Sequence, residues 1–208
     1  MEYHTRLRPW AGLALVALSA VAALLLVGWP VSGAGAAEKK RVALPRDLIT
    51  FDDGDSIAIR WSEGREHVRI LGIDTPEIQH LDHDIPHAQA FGDIAAGFLR
   101  GCVAVAERIE LLRSGKKDRY GRTLGYLLLD GKNYSVLVIE ARLAYGPSDR
   151  YGDNGFPEEF AACKAAALKA GPLPFEAPYL YRRRMRDLTK WMKKNGTYPS
   201  TAEPASEK

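Results

Sequence analysis

Cysteine is scarce in this chain. Only Cys102 and Cys163 occur among 208 residues, so no Cys-x-x-Cys pair can frame a zinc or redox site. No cysteine lies beside the acidic clusters described below, and a soft-metal centre does not fit them. Internal repeats are absent as well, which excludes a solenoid of stacked units. Neither low hydrophobic content nor a large charge imbalance marks the chain as disordered: 46% of residues are hydrophobic and the formal net charge is +3. An even cysteine count would permit one disulfide in an oxidising compartment, and it equally fits two small buried apolar residues.

The first three dozen residues stand apart. Arg6 and Arg8 precede an apolar run from Ala11 to Val27, Gly28-Trp29-Pro30 breaks it, and Ala34-Gly35-Ala36 follows. A charged start, an apolar stretch and a small-x-small site form a secretory signal, so the chain is expected to be exported, periplasmic or secreted. The run also approaches spanning length, which leaves an uncleaved membrane anchor as the alternative. Lys39, Lys40 and Arg41 follow too closely for charge asymmetry to decide between them.

Charge is placed unevenly. Residues 177–208 hold eight Lys or Arg against three acids, a net of +5, whereas residues 37–176 carry a net of −3. A basic tail attracts polyanions. A mildly acidic body needs focused positive charge or a bound cation before it can accept one.

Hydrophobic patterning predicts strands over Leu48–Phe51, Ser56–Trp61 and His67–Ile73, separated by Asp53-Gly54 and Ser62-Glu63-Gly64 turns. Two more are predicted over Val103–Leu112 and Leu124–Leu129. Helical spacing appears over His87–Arg100, with Ala88, Phe91, Ile94, Ala95 and Phe98 on one face, and over Val136–Leu143 with Ser135 as its N-cap. Glu158–Leu168 behind Pro157 and a basic Tyr179–Lys194 segment are further helices. Glu77–Pro86 reads as a solvated loop, because its His80, Asp82, His83 and Asp84 lack zinc-ligand spacing. Five short strands with interspersed helices predict an α+β fold built on a small OB-type barrel, with a basic C-terminal helix added.

Three clusters carry chemistry: Asp53-Gly54-Asp55-Ser56, then Arg69 to Glu77 through Asp74-Thr75-Pro76, then Asp118-Arg119-Tyr120-Gly121-Arg122. Asp55, Asp74 and Glu77 stand at strand ends, where a barrel gathers distant segments. A hard cation such as Ca2+ takes carboxylate and carbonyl oxygens, and Pro76 stiffens the turn that would present the Thr75 carbonyl. Arg69 and Arg122 each offer a planar fork suited to phosphate. Taken singly, each cluster also reads as a turn, a cap or a surface ion pair. Together, in this order on this strand pattern, they point to phosphodiester hydrolysis.

These motifs, Asp-Gly-Asp-Ser, Arg-x-x-x-x-Asp-Thr-Pro-Glu and Asp-x-Tyr-Gly-Arg, closely resemble those of the thermonuclease, or staphylococcal nuclease-like, family. The resemblance runs from about Leu48 to Ala170. It implies a five-stranded OB-type barrel with three helices and Ca2+-dependent cleavage of DNA or RNA that leaves 3′-phosphate ends. It further implies that Asp55 and Asp74 ligate Ca2+ by side chain and Thr75 by carbonyl, with Asp53 behind them setting the site. Glu77 would orient or deprotonate the attacking water, Arg69 and Arg122 would clamp the phosphate, and Tyr120 would touch a neighbouring phosphate. Ser56 stands where the family more often has Thr, and Arg142 where it usually has Gly. Tyr145 and Tyr151 both compete as the base-stacking tyrosine.

The expected organisation is a signal peptide or anchor over residues 1–37, a linker over 38–46, the nuclease domain over 47–176 and a basic tail over 177–208. The expected partner is DNA or RNA, with no obligate protein partner and a monomeric state. A silent OB module that binds only single-stranded nucleic acid is the competing reading. The presence of every motif acid and of both arginines argues against it.

Overall fold

The computed structural model describes residues 41–199. The N-terminal apolar run and its small-residue site lie outside them. No helix among the described residues is long and apolar enough to cross a membrane.

Strands β1 (Arg41–Ala43), β2 (Ile49–Phe51), β3 (Ser56–Trp61) and β4 (Gly64–Ile70) precede helix α1 (Gly92–Val105). Strands β5 (Ile109–Lys117), β6 (Thr123–Leu129) and β7 (Lys132–Asn133) follow, and then helices α2 (Tyr134–Glu140), α3 (Pro157–Ala170) and α4 (Pro178–Lys194). All seven strands join one mixed sheet in the order β1-β5-β6-β4-β3-β2, with β7 paired to β6. The five expected strands correspond to β2 through β6. The two additional strands, β1 and β7, are only three and two residues long.

Sheet register is what assembles the site. In the β3·β4 hairpin Ser56 lies opposite Arg69, and in the parallel β4·β6 pair Val68 lies opposite Thr123. One end of three adjacent strands therefore brings Asp55-Ser56, Arg69 and Arg122-Thr123 together. The register is pinned from below: Ile57, Ile59, Val68, Ile70, Leu111 and Leu127 are all at most 1% exposed, and a one-residue slip would turn each of them to the wrong face.

Several local expectations are overturned. Arg41–Ala43 is not linker but strand, paired with Glu110–Leu112, and Leu44 behind it is buried. Val103–Val105 is not the start of a strand but the last turn of α1. Leu99 and Val103 are one helical turn apart and both buried, so the apolar stripe carries the helix across Gly101, which faces open space. That stripe is Ala95, Ala96, Leu99 and Val103, rotated from the expected face, and Ile94 is exposed. Ser135 does not cap α2. Asn133 does, its side chain accepting from the Ser135 amide, while the buried Ser135 hydroxyl donates to the Leu71 carbonyl. Arg142, where the family more often has Gly, adopts a left-handed φ of 60°, a conformation that glycine takes without strain.

Tyr134 links the core to the site. It is fully buried, and its hydroxyl donates 2.8 Å to the carbonyl of Gly54, between Asp53 and Asp55. Tyr134→Phe leaves that carbonyl without its donor and is expected to cost about 1–2 kcal/mol of stability, read as a lowered urea midpoint at unchanged m-value.

Candidate active site

Asp55 is 3% exposed, so its charge needs partners rather than water. Its Oδ2 accepts from the Thr75 amide at 2.9 Å, and its Oδ1 receives the Ser56 hydroxyl and pairs with the Arg69 guanidinium. Asp53 sits one turn behind, and its Oδ1 accepts from the Asp55 amide. Gly54 between them has no room for a side chain, since a Cβ there would meet the Thr75 hydroxyl at 2.9 Å. The first two motifs thus pack directly against each other.

Arg69 spans them. Besides Asp55, its Nη2 donates to Asp74 Oδ1 at 3.1 Å and to the Ile73 carbonyl at 3.0 Å. Asp74 is fixed through its backbone as well, in an antiparallel bridge with Tyr145: each amide donates to the other's carbonyl. The third motif is tied in by Arg122, whose Nε donates to Asp118 Oδ2 at 2.8 Å and whose Nη1 donates to the Ser56 hydroxyl at 3.2 Å. Asp118 also accepts from the Tyr120 and Arg122 amides, which closes the Asp-x-Tyr-Gly-Arg turn. Tyr120 is 68% exposed, with the Arg119 and Arg122 guanidinium groups 4.7 and 5.6 Å from its ring centre.

Burial shifts the charge balance. Desolvation raises the Asp53 pKa, although Arg69 and Arg122 pull against it. Desolvation likewise raises that of Glu77, opposed by Arg182. A carboxylate pushed upward is a better proton acceptor near neutral pH, which suits a general base. Asp118 goes the other way: the Arg122 hydrogen bonds and charge outweigh burial and lower its pKa.

Arg182 is the residue that sequence reading missed. It comes from α4, the basic helix that the sequence showed only as a tail able to attract polyanions. Instead its Nη1 and Nη2 donate to Asp74 Oδ1 and Oδ2, each at 3.1 Å, and Nη1 also contacts Glu77 Oε1. Burial disfavours its charge, but the hydrogen bonds and negative charge of Asp74 and Glu77 outweigh that and raise its pKa. Two more unexpected residues seat Glu77. The buried Gln89 side-chain oxygen accepts from the Glu77 amide at 3.2 Å, and its nitrogen donates to the Glu176 carbonyl. Gly92 packs so closely that a Cβ would come within 2.2 Å of the Glu77 carbonyl. An arginine-rich run hinted at Arg182 without singling it out, whereas Gln89 and Gly92 carried no motif at all.

Of the two competing tyrosines, Tyr145 is packed edge-on against Phe175, and its hydroxyl donates to the Phe175 carbonyl. Tyr151 is 73% exposed. Cys102 and Cys163 are both free thiols, and burial pushes the Cys163 thiol up to about 12. His80 and His83 stack on each other at 3.9 Å in the loop before α1.

No three His, Cys, Asp or Glu side chains cluster as a metal site among the described residues. Asp55 and Asp74, both bound by Arg69, are the carboxylates that could hold a cation, with backbone carbonyl oxygens nearby. That all-oxygen set fits a hard cation, and the guanidinium groups of Arg69 and Arg182 already mark Asp74 as a place where positive charge is held.

The chain is similar to several known proteins. The family model described as staphylococcal nuclease homologue matches residues 67–171, half of the chain. A thermonuclease of Staphylococcus intermedius is 30% identical over 144 residues, covering 65% of this chain and 83% of the relative. The endonuclease YncB of Bacillus subtilis is 29% identical over 114 residues, and the chain spans 53% of its length. The SPbeta prophage-derived endonuclease YokF of the same species is 30% identical over 114 residues, with 38% of its length spanned. On the family-model match over half of the chain and the likeness to these relatives, the chain belongs to the staphylococcal nuclease homologue family.

Proposed function

We propose that this chain is a Ca2+-dependent nuclease that hydrolyses phosphodiester bonds of DNA or RNA. One observation carries the reading: Asp53, Asp55, Arg69, Asp74, Thr75, Glu77 and Arg122, drawn from three separate segments, meet at one end of β3, β4 and β6. Turns and surface ion pairs placed independently would have no reason to converge. The names of the relatives, thermonuclease and endonuclease, favour the same chemistry. The mixed sheet is taken as an OB-type barrel, its outermost strands β1 and β2 joined by only residues 44–48. The N-terminal segment is taken to direct export or to tether the enzyme to a membrane.

In this reading Asp55 and Asp74 would hold the cation by their side chains and Thr75 by its carbonyl, with Asp53 steadying Asp55. Bound there, Ca2+ supplies positive charge beside the phosphoryl oxygens. Glu77 orients a water and accepts its proton as the new O–P bond forms. The P–O5′ bond breaks, and the departing oxygen takes a proton from solvent. Arg122 has donors left beyond Asp118 and Ser56 for the phosphate, and Tyr120 beside it can meet a neighbouring phosphate. Arg69 is more fully engaged with Asp55, Asp74 and Ile73, so part of its role is to hold the acids together.

The basic face of α4 adds a second contact. Tyr179, Arg183, Arg186, Lys190 and Lys194 recur at helical spacing and are exposed. That face is a rail for the nucleic-acid backbone beside the site, useful on a body whose own charge is acidic.

Three outcomes are expected. The purified protein cleaves plasmid DNA and RNA with Ca2+ and stops on chelation; equal activity in both conditions would remove the calcium requirement, and no cleavage in either would favour a silent binding module. Arg122→Lys keeps the charge but loses the fork, so kcat falls on the order of a hundredfold; turnover near wild type would refute the clamp. Replacing Arg183, Arg186, Lys190 and Lys194 by Gln weakens substrate binding at low salt and flattens its salt dependence, because fewer counterions are released. An unchanged salt slope would leave that face without a role in binding.

A further inference from the structure

A guanidinium already grips the carboxylates that the proposed mechanism needs. Arg182 donates to both oxygens of Asp74 and to one of Glu77, while Arg69 donates to the same Asp74 Oδ1. Asp74 therefore faces two positive side chains. A divalent cation arriving at Asp74 would meet both of them, and like charges gathered on one carboxylate repel. The two arginines are not equivalent. Arg69 is built into β4 and bound also to Asp55 and a backbone carbonyl. Arg182 rides on a helix outside the family-matched residues 67–171, and its side chain is 33% exposed, against 20% for Arg69. It is the partner that can leave.

We propose that Arg182 and the divalent cation compete for Asp74 and Glu77, so that α4 sets how tightly this chain holds its cation. This rests on the calcium reading above. With Arg182 in place, Asp74 and Glu77 are neutralised from within and the site takes up cation weakly. With Arg182 displaced, Asp74 turns to the cation and Glu77 is released to orient water. The guanidinium then stands beside the site with its fork unused, ready for a phosphate oxygen. Loading the cation and readying the base thus become one event.

α4 does not depend on this contact to stay docked. Tyr181 and Met185 pack on Ile85, the Tyr181 hydroxyl donates to the His87 carbonyl, the Thr189 hydroxyl donates to the Asp84 carbonyl, and Lys193 pairs with Asp84. Removing the Arg182 charge therefore tests the competition without unseating the helix.

The test is calorimetric titration of Ca2+ into the full chain and into Arg182→Gln, with no nucleic acid present. Arg182→Gln is expected to bind Ca2+ at least about tenfold tighter, within the ordinary range of coupling between linked ligands. Arg182→Lys, which keeps the charge but cannot span both Asp74 oxygens, should fall between, and it serves as the second variant if Arg182→Gln folds poorly. Affinity that is equal to or weaker than wild type in both variants overturns the proposal; a weaker value would mean that Arg182 organises the site for the cation. If neither wild type nor variant bound Ca2+, the competition and the calcium requirement would both fall, while the plasmid digest would still read the nuclease activity separately.

Discussion

Carboxylates gathered at one place repel one another, and Arg69 is what allows them to sit together here. Its guanidinium lies between Asp55, at the start of β3, and Asp74, past the end of β4. Without it, a 3% exposed carboxylate would be left uncompensated beside a second one, an arrangement costing several kcal/mol. Much of the surrounding structure serves that contact. The β3·β4 register puts Arg69 opposite Ser56, Tyr134 holds the Gly54 carbonyl, and Tyr145 pins the backbone of Asp74. The site is in this sense a solution to a charge problem that the sheet alone could not solve.

The same logic explains why the basic tail does not simply coat the surface. Asp74 and Glu77 hold more negative charge than Arg69 can offset, and α4 passes close enough for Arg182 to supply the remainder. The rest of α4 divides its labour by face. An apolar stripe docks on the loop at Ile85, and an opposite face of arginine and lysine stays in water.

The strands and the acids were legible because their signals are local: β-branched alternation, Asp-Gly turns and three short motifs whose residues lie within nine positions of one another. Where the reading failed, the deciding force was distant. Arg41–Ala43 looked like linker because its pairing partner, β5, lies about seventy residues away. Val103–Val105 looked like strand because helical spacing was expected to end at Arg100, just before Gly101, but the core contact of Leu99 and Val103 outweighed the modest propensity cost of a glycine. Gln89 and Gly92 touch Glu77 only because the loop before α1 folds back onto it, a closure written in no periodic pattern. Arg182 lies 105 residues from Glu77, and among seven arginines and lysines in α4 nothing local distinguishes it.

Cys102 and Cys163 give the molecule a further property. Both are free, the second is sealed against Gly72 and Tyr126 in the interior, and burial holds its thiol far from ionising. Thiolate is the species that exchanges or oxidises, so this interior sulfur is chemically quiet while the chain is folded. No covalent cross-link between these residues has to be made for the native state to form. A reducing agent therefore has no bond between these two residues to cleave.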